Sequence, residues 1–306
     1  MSRHLPQRYW PSFVIVVALF SGAVDAQNRG PVDLANAPVA PGARRVAYGS
    51  GPLQFGELRL PSTTGPHPVA IVIHGGCWLA KLGTLDPRAV AIDNMRPMAA
   101  ALNAAGIATW NIEYRRLGDE GGGWPGTFRD VAAGADFIRT LAPEHSLDLK
   151  RVISIGHSAG AHLALWLAAR PKLPATSDLY VRDPLRLAGV VSLDGPADLK
   201  ATIPLQMPVC GRPVITDLIG GSPEERPGRY RDGSPIEVLP LGVPHAFFTG
   251  RMFAAHSIPY EIAAQRAGDV VQITALPNAD HFVFIDPHSE VWPQVMASVR
   301  RYLLRR

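Results

Sequence analysis

The chain has 306 residues, enough for one large domain or two small ones. Hydrophobic residues make up 47% and charged residues 18%, which excludes disorder, collagen-like repeats and coiled coil and permits an ordinary buried core. The net charge of +4 comes mostly from Arg scattered singly or in pairs, as in Arg44–Arg45, Arg115–Arg116 and Arg305–Arg306. No basic cluster interleaved with aromatics appears, which argues against a nucleic-acid partner.

Residues 1–26 combine Arg3 and Arg8, an apolar run from Phe13 to Phe20, and small residues at Val24 and Ala26 before Gln27. That order of basic, apolar and small residues is the pattern of a cleaved secretory signal peptide, although Asp25 is unusual inside the cleavage site. The run is shorter than the roughly 20 residues a membrane span needs, so no stable span is expected after cleavage. An N-terminal anchor that stays attached is the competing reading. Export to a periplasmic or extracellular space is the expectation. Residues 27–43, rich in Pro, Ala and Asn, read as a loose lead-in to a single domain over 44–306. Cys77 and Cys210 sit in no CxxC and no zinc-ligand spacing, so no metal site is expected, and whether they pair is left open.

Arg44–Ser50 and Leu53–Leu60 have no helix between them and read as an antiparallel start. Val69–Ile73 is a continuous apolar run, as in a strand buried on both faces of a parallel sheet. Ile107–Ile112, Val152–Ile155, Leu187–Leu193, His245–Thr249 and Val270–Leu276 read the same way. Helical patterns near 88–105, 128–141, 159–170, 257–267 and 289–304 alternate with these strands, which predicts an α/β fold with a mostly parallel central sheet flanked by helices. Residues 195–243 break the alternation with dense Pro and Gly and read as an irregular cap insertion over the carboxyl edge of the sheet.

Gly156-His157-Ser158-Ala159-Gly160 joins the strand ending at Ile155 to the helical run that follows. A G-x-S-x-G in this strand–turn–helix setting lifts a serine Oγ clear of the sheet, and the small residues let strand and helix approach closely. The turn also sets a helix N-terminus beneath any developing negative charge. Ser158 is therefore the candidate nucleophile. His74-Gly75-Gly76-Cys77-Trp78 follows the strand 69–73 directly, and glycines there free backbone N–H groups to face a carbonyl oxygen. The amides of Gly76, Cys77 and Ala159 are the expected oxyanion hole. His74 reads as a structural hydrogen-bonder, and Cys77 lacks the turn context of a nucleophile. Trp78 reads equally as a substrate-pocket wall or as core.

H-G-G-x-W, G-H-S-A-G-A-H-L and a late D-H-F resemble the α/β-hydrolase superfamily, specifically its HGG-type esterases. The sequence is similar to kynurenine formamidase-like hydrolases and to bifunctional feruloyl and acetyl-xylan esterase-like hydrolases, over residues 45–304. The resemblance implies an α/β-hydrolase fold and the triad order Ser, acid, His. His281, in Asp280-His281-Phe282 after the last strand, then supplies the base. Asp280 reads as a loop residue. The resemblance also implies an acid in the loop after the seventh strand, yet Gly250–Pro259 contains no Asp or Glu. Three readings follow: Asp194, ending the sixth strand, serves as the acid; water or His256 fills the gap in a weak enzyme; or the chain binds without turnover. Asp198 is a rival in the same loop but suits a turn cap.

The expectation is an exported serine hydrolase cleaving a small-molecule carboxylic ester through an acyl-enzyme, with no cofactor. The alternatives are an amide hydrolase of the formamidase or small-peptidase kind and a catalytically weak or silent binding protein on the same scaffold. The oligomeric state is open.

Overall fold

A computed structural model describes residues 29–303, so the expected signal segment at 1–26 lies outside the described residues. The strands are β1 (Arg44–Ala47), β2 (Phe55–Arg59), β3 (His67–Ile73), β4 (Ala108–Ile112), β5 (Leu147–His157), β6 (Gly189–Leu193), β7 (His245–Thr249) and β8 (Val271–Ala275). They form one sheet in the order β1-β2-β4-β3-β5-β6-β7-β8. β1 and β2 are antiparallel to their neighbours, and from β4 to β8 every pairing is parallel. The apolar runs explain this. β4, β6 and β7 are buried at every position, as strands covered on both faces must be.

The helices are α1 (Pro31–Asn36), α2 (Arg96–Ala104), α3 (Gly126–Asp136), α4 (Ile138–His145), α5 (Ala159–Ala169), α6 (Leu199–Cys210), α7 (Val214–Ile219), α8 (Pro227–Gly233), α9 (Ala254–Arg266) and α10 (Trp292–Leu303). Two cores lie on opposite faces of the sheet. One joins Trp110, Phe128 and Trp166 with Leu163 of α5 and Tyr260 of α9. The other joins Met98 of α2, Phe248, Phe284 and Val299 of α10. α5 is apolar apart from His162 and buried throughout, so the helix behind the G-x-S-x-G turn is embedded in protein.

Two expectations differ from the structure. The lead-in is not loose after residue 29. α1 starts with Pro31 at a first-turn position, and Asp33 accepts from the Gly30 N–H at 2.9 Å. Its Leu34 is fully buried in the second core, and the Arg29 guanidinium pairs with Asp286. Residues 195–243 are not an irregular loop either, because they hold α6, α7 and α8. Pro204 and Pro208 lie inside α6, where each removes one helical N–H donor. The helix persists because Asp198 caps it through the Ala201 N–H at 3.1 Å, Gly211 ends it at φ +70°, and Leu199, Thr202 and Gln206 are buried.

Candidate active site

β5 hands over to α5 at Ser158, whose backbone takes φ 55° and ψ −122°, a conformation that L residues rarely adopt. Neighbouring glycines make the turn possible. A Cβ on Gly156 would stand 2.1 Å from the Gly160 carbonyl oxygen, and one on Gly160 would stand 2.2 Å from that of Ile73. The turn is pinned by the Ser158 N–H donating to Leu193 O at 2.9 Å and the Ala161 N–H donating to Ser158 O at 2.9 Å. These contacts set Ser158 at the carboxyl edge of the sheet, between β3 and β6.

His281 lies in the loop after β8. Its Nδ1 is 2.6 Å from Asp194 Oδ2, and the other carboxylate oxygen accepts from the Gly250 N–H at 2.7 Å. A carboxylate only accepts, so Nδ1 carries the proton and Nε2 is left with the lone pair a base requires. Asp194 is fully buried at the end of β6. The segment Gly250–Pro259 thus contributes a backbone amide rather than a side-chain acid. Asp280 accepts from the Phe282 N–H at 3.2 Å as a loop residue, and Asp198 is the cap of α6. Among the described residues no hydrogen bond joins His256 to His281, and none joins Ser158 Oγ to His281. Ser158 and His281 nonetheless face one cavity, and such bonds commonly tighten only when substrate is bound.

His157 packs its ring 4.3 Å from that of His281, and its Nε2–H donates to the His281 carbonyl oxygen at 2.9 Å. Burial, with the nearby His281, pushes His157 well below the usual imidazole range, so this neighbour of His281 stays neutral. His162, on α5, is lowered by burial to about 4 and donates from Nε2 to the Gly233 carbonyl at 2.7 Å.

On the other side of Ser158, Cys77 and Trp78 both take positive φ, 55° and 54°, in a tight turn closed by the Leu79 N–H donating to Gly76 O at 2.9 Å. Among the described residues, no acceptor is bonded to the N–H of Gly76, Cys77 or Ala159, as oxyanion donors require. His74 anchors this loop from beneath. It is fully buried, with Nδ1 2.8 Å from Gly75 O and Nε2 2.9 Å from Glu113 Oε1. Tyr114 stacks on its ring and donates its hydroxyl to His74 O at 2.8 Å. Burial alone would raise the Glu113 carboxyl. His74, Arg116 and the Tyr114 N–H prevail and hold it down to about 2. Cys77 is bonded to Cys210 at the end of α6, a connection across 133 residues.

Sequence reasoning did not single out Glu113, Gly250 or the role of Cys210. A carboxylate directly after the buried β4 was the available signal for Glu113. Among the described residues no group of three His, Cys, Asp or Glu side chains could hold a metal ion, and no helix is long and apolar enough to cross a membrane.

Ser158 stands where two cavities meet. The smaller, about 20 Å³, lies under the cap and is lined by Trp78, Leu205, Val214, Ile215 and Phe253, so Trp78 is both core and wall. The larger, about 160 Å³, lies on the His281 side.

The strand order, the turn at Ser158 and the late histidine paired with a strand-end carboxylate define an α/β-hydrolase fold. The BD-FAE family model, of α/β-hydrolase-like esterases, matches residues 57–250, and the chain belongs to that family. Esterase B from Lactobacillus Rhamnosis superposes with a TM-score of 0.71 at 19% identity, covering 88% of this chain and 87% of that one. A truncated carbohydrate esterase from gut microbiota superposes with a TM-score of 0.69 at 19% identity, covering 85% and 95%. At these identities the likeness speaks for the fold. The probable isoprenylcysteine alpha-carbonyl methylesterase ICMEL1 of Arabidopsis thaliana is 29% identical over 125 residues, which span 40% of this chain and 23% of that protein.

Proposed function

We propose that the protein is an exported serine hydrolase that cleaves a carboxylic ester through an acyl-enzyme. The observation that carries this reading is the buried Asp194–His281 hydrogen bond of 2.6 Å beside the strained turn of Ser158. Ser158 Oγ attacks the ester carbonyl as His281 Nε2 takes its proton. The oxyanion is held by the amides of Gly76, Cys77 and Ala159. The imidazolium, stabilised by Asp194, returns the proton to the departing alcohol oxygen, and water repeats the sequence on the acyl-enzyme. Because Asp194 supplies an acid that the loop after β7 lacks, the geometry weighs against a silent binding protein.

The four substituents of the tetrahedral intermediate divide the site. Oγ joins Ser158, the oxyanion faces the amides, and the departing oxygen faces His281, so the acyl chain takes the remaining side, under the cap. The cavity there is small, about 20 Å³, which favours a short acyl chain. Export is supported by the basic–apolar–small pattern of residues 1–26 and by the Cys77–Cys210 bond, which persists best in an oxidising space.

Fluorophosphonate labelling of the purified protein tests the reading. Wild type takes up one label and hydrolyses p-nitrophenyl acetate, and Ser158→Ala does neither while melting at an unchanged temperature. Labelling that survives in Ser158→Ala overturns the assignment.

A further inference from the structure

We propose that the larger cavity binds the alcohol part of the substrate and selects a ring-sized apolar alcohol. The inference rests on the serine mechanism above. His281 must return a proton to the departing oxygen, so the alcohol occupies the side of Ser158 that His281 lines, and only the 160 Å³ cavity includes that residue.

Its walls are apolar. Leu82, Leu85 and Val90 come from the segment after β3, Met252 and Phe282 from the loops after β7 and β8, and Pro31 from α1. Apart from the reacting Ser158 and His281, the polar side chains among its lining residues are Asn94 and His157, and both are committed or sealed. The Asn94 amide donates to Ala89 O at 2.7 Å, and its Oδ1 is shut off from solvent. His157 Nε2–H is spent on the His281 carbonyl, and its Nδ1 is equally sealed. A sugar placed here would strip water from several hydroxyls without replacing their partners, each weakening binding by about tenfold or more. An apolar ring loses nothing. An apolar cavity of about 150 Å³ suffices to bind benzene in another protein, so 160 Å³ is room for a single ring.

Docking of α1 acquires a purpose in this light. Leu34 and the Arg29–Asp286 pair hold Pro31 at the cavity wall, so the segment before β1 completes the alcohol site.

The test compares acetate esters of three primary alcohols of similar leaving tendency: benzyl acetate, 6-O-acetylglucose and methyl acetate. Benzyl acetate is expected to exceed 6-O-acetylglucose at least tenfold in kcat/KM. Leu85→Gln and Met252→Gln, made separately on half-buried wall positions of two different segments, are each expected to lower the benzyl-to-methyl ratio of kcat/KM by about fivefold or more. Turnover of 6-O-acetylglucose at or above the rate of benzyl acetate overturns the proposal, as does a benzyl-to-methyl ratio preserved in both variants. If none of the three esters is hydrolysed and Ser158 takes up no fluorophosphonate, the ester-hydrolase reading falls as well. Hydrolysis of all three without preference removes the alcohol assignment alone.

Discussion

Asp194 reaches His281 across the end of β7, and Gly250 leaves the passage open. A Cβ on Gly250 would stand 3.3 Å from Asp194 Oδ2 and 2.8 Å from Ala279 O, so a side chain there would crowd the 2.6 Å hydrogen bond between Asp194 and His281. The glycine also donates its N–H to the free carboxylate oxygen. The loop after β7, without an acidic side chain, therefore orients the Asp194 carboxylate at the end of β6.

Asp194→Asn is expected to lower kcat by roughly 10³–10⁴ with KM little changed, because the amide no longer fixes the imidazole tautomer or stabilises the imidazolium. Asp280→Asn should stay within about threefold of wild type, since that side chain serves its own loop. Steady-state kinetics on p-nitrophenyl acetate distinguish the two, and equal effects would remove Asp194 from the triad.

Gly160→Ala should fail to give a native protein, or lose on the order of 4 kcal/mol in urea denaturation. The new methyl would sit 2.2 Å from Ile73 O and 2.4 Å from His74 O, both backbone atoms of the sheet and of the HGG loop. A variant of wild-type stability would contradict the tight approach of α5 to β3.

Acid should weaken the fold in two stages. Burial lowers His162 from 6.5 to about 4, so its contribution to stability is full above pH 6.5 and is lost as pH falls toward 4. His157 acts in the same direction. Glu113, lowered from 4.5 to about 2, contributes fully above pH 4.5 and loses that contribution between there and pH 2. Thermal melts between pH 7 and pH 3 should show the midpoint falling throughout. His162→Gln should flatten the upper part of the slope and Glu113→Gln the lower part. A midpoint constant from pH 6.5 to 4 in wild type would contradict the burial argument.

Replacing both cysteines, as Cys77→Ser with Cys210→Ser, removes a crosslink over 133 residues, worth about 4–5 kcal/mol in the chain-entropy picture. It also frees the turn that carries the Cys77 amide, so kcat should fall by more than KM rises. Dithiothreitol, which would leave two thiols and its own cyclic disulfide, should reproduce the loss in wild type and leave the double variant unaffected. Unchanged kcat in the variant would separate the bond from the oxyanion site.

The strands were legible because parallel strands covered on both faces leave uninterrupted apolar runs. His245–Thr249 coincides with β7, and Val69–Ile73 ends with β3, which begins two residues earlier at His67. The G-x-S-x-G turn was legible because its glycines answer to backbone contacts a few residues away. The Asp194–His281 contact was one of three readings, since only the sheet order decides which strand end faces the loop after β8. The cap helices were hidden because Pro204 and Pro208 are local stop signals, while burial of Leu199, Thr202 and Gln206 against the rest of the molecule is not local. α1 was hidden for a similar reason. Its six residues carry one apolar anchor, Leu34, too few to show a period.

Cys210 terminates α6, and Cys77 lies in the turn beside Ser158, so the cap is sewn to the rim of the sheet at the candidate site itself. A flap hinged at its two ends, near 195 and 243, would have to drag that turn along whenever it swung open. In the oxidised protein the end of α6 and the turn at Cys77 are therefore tied together. A displacement of the cap would reach the Cys77 amide beside Ser158 through that bond.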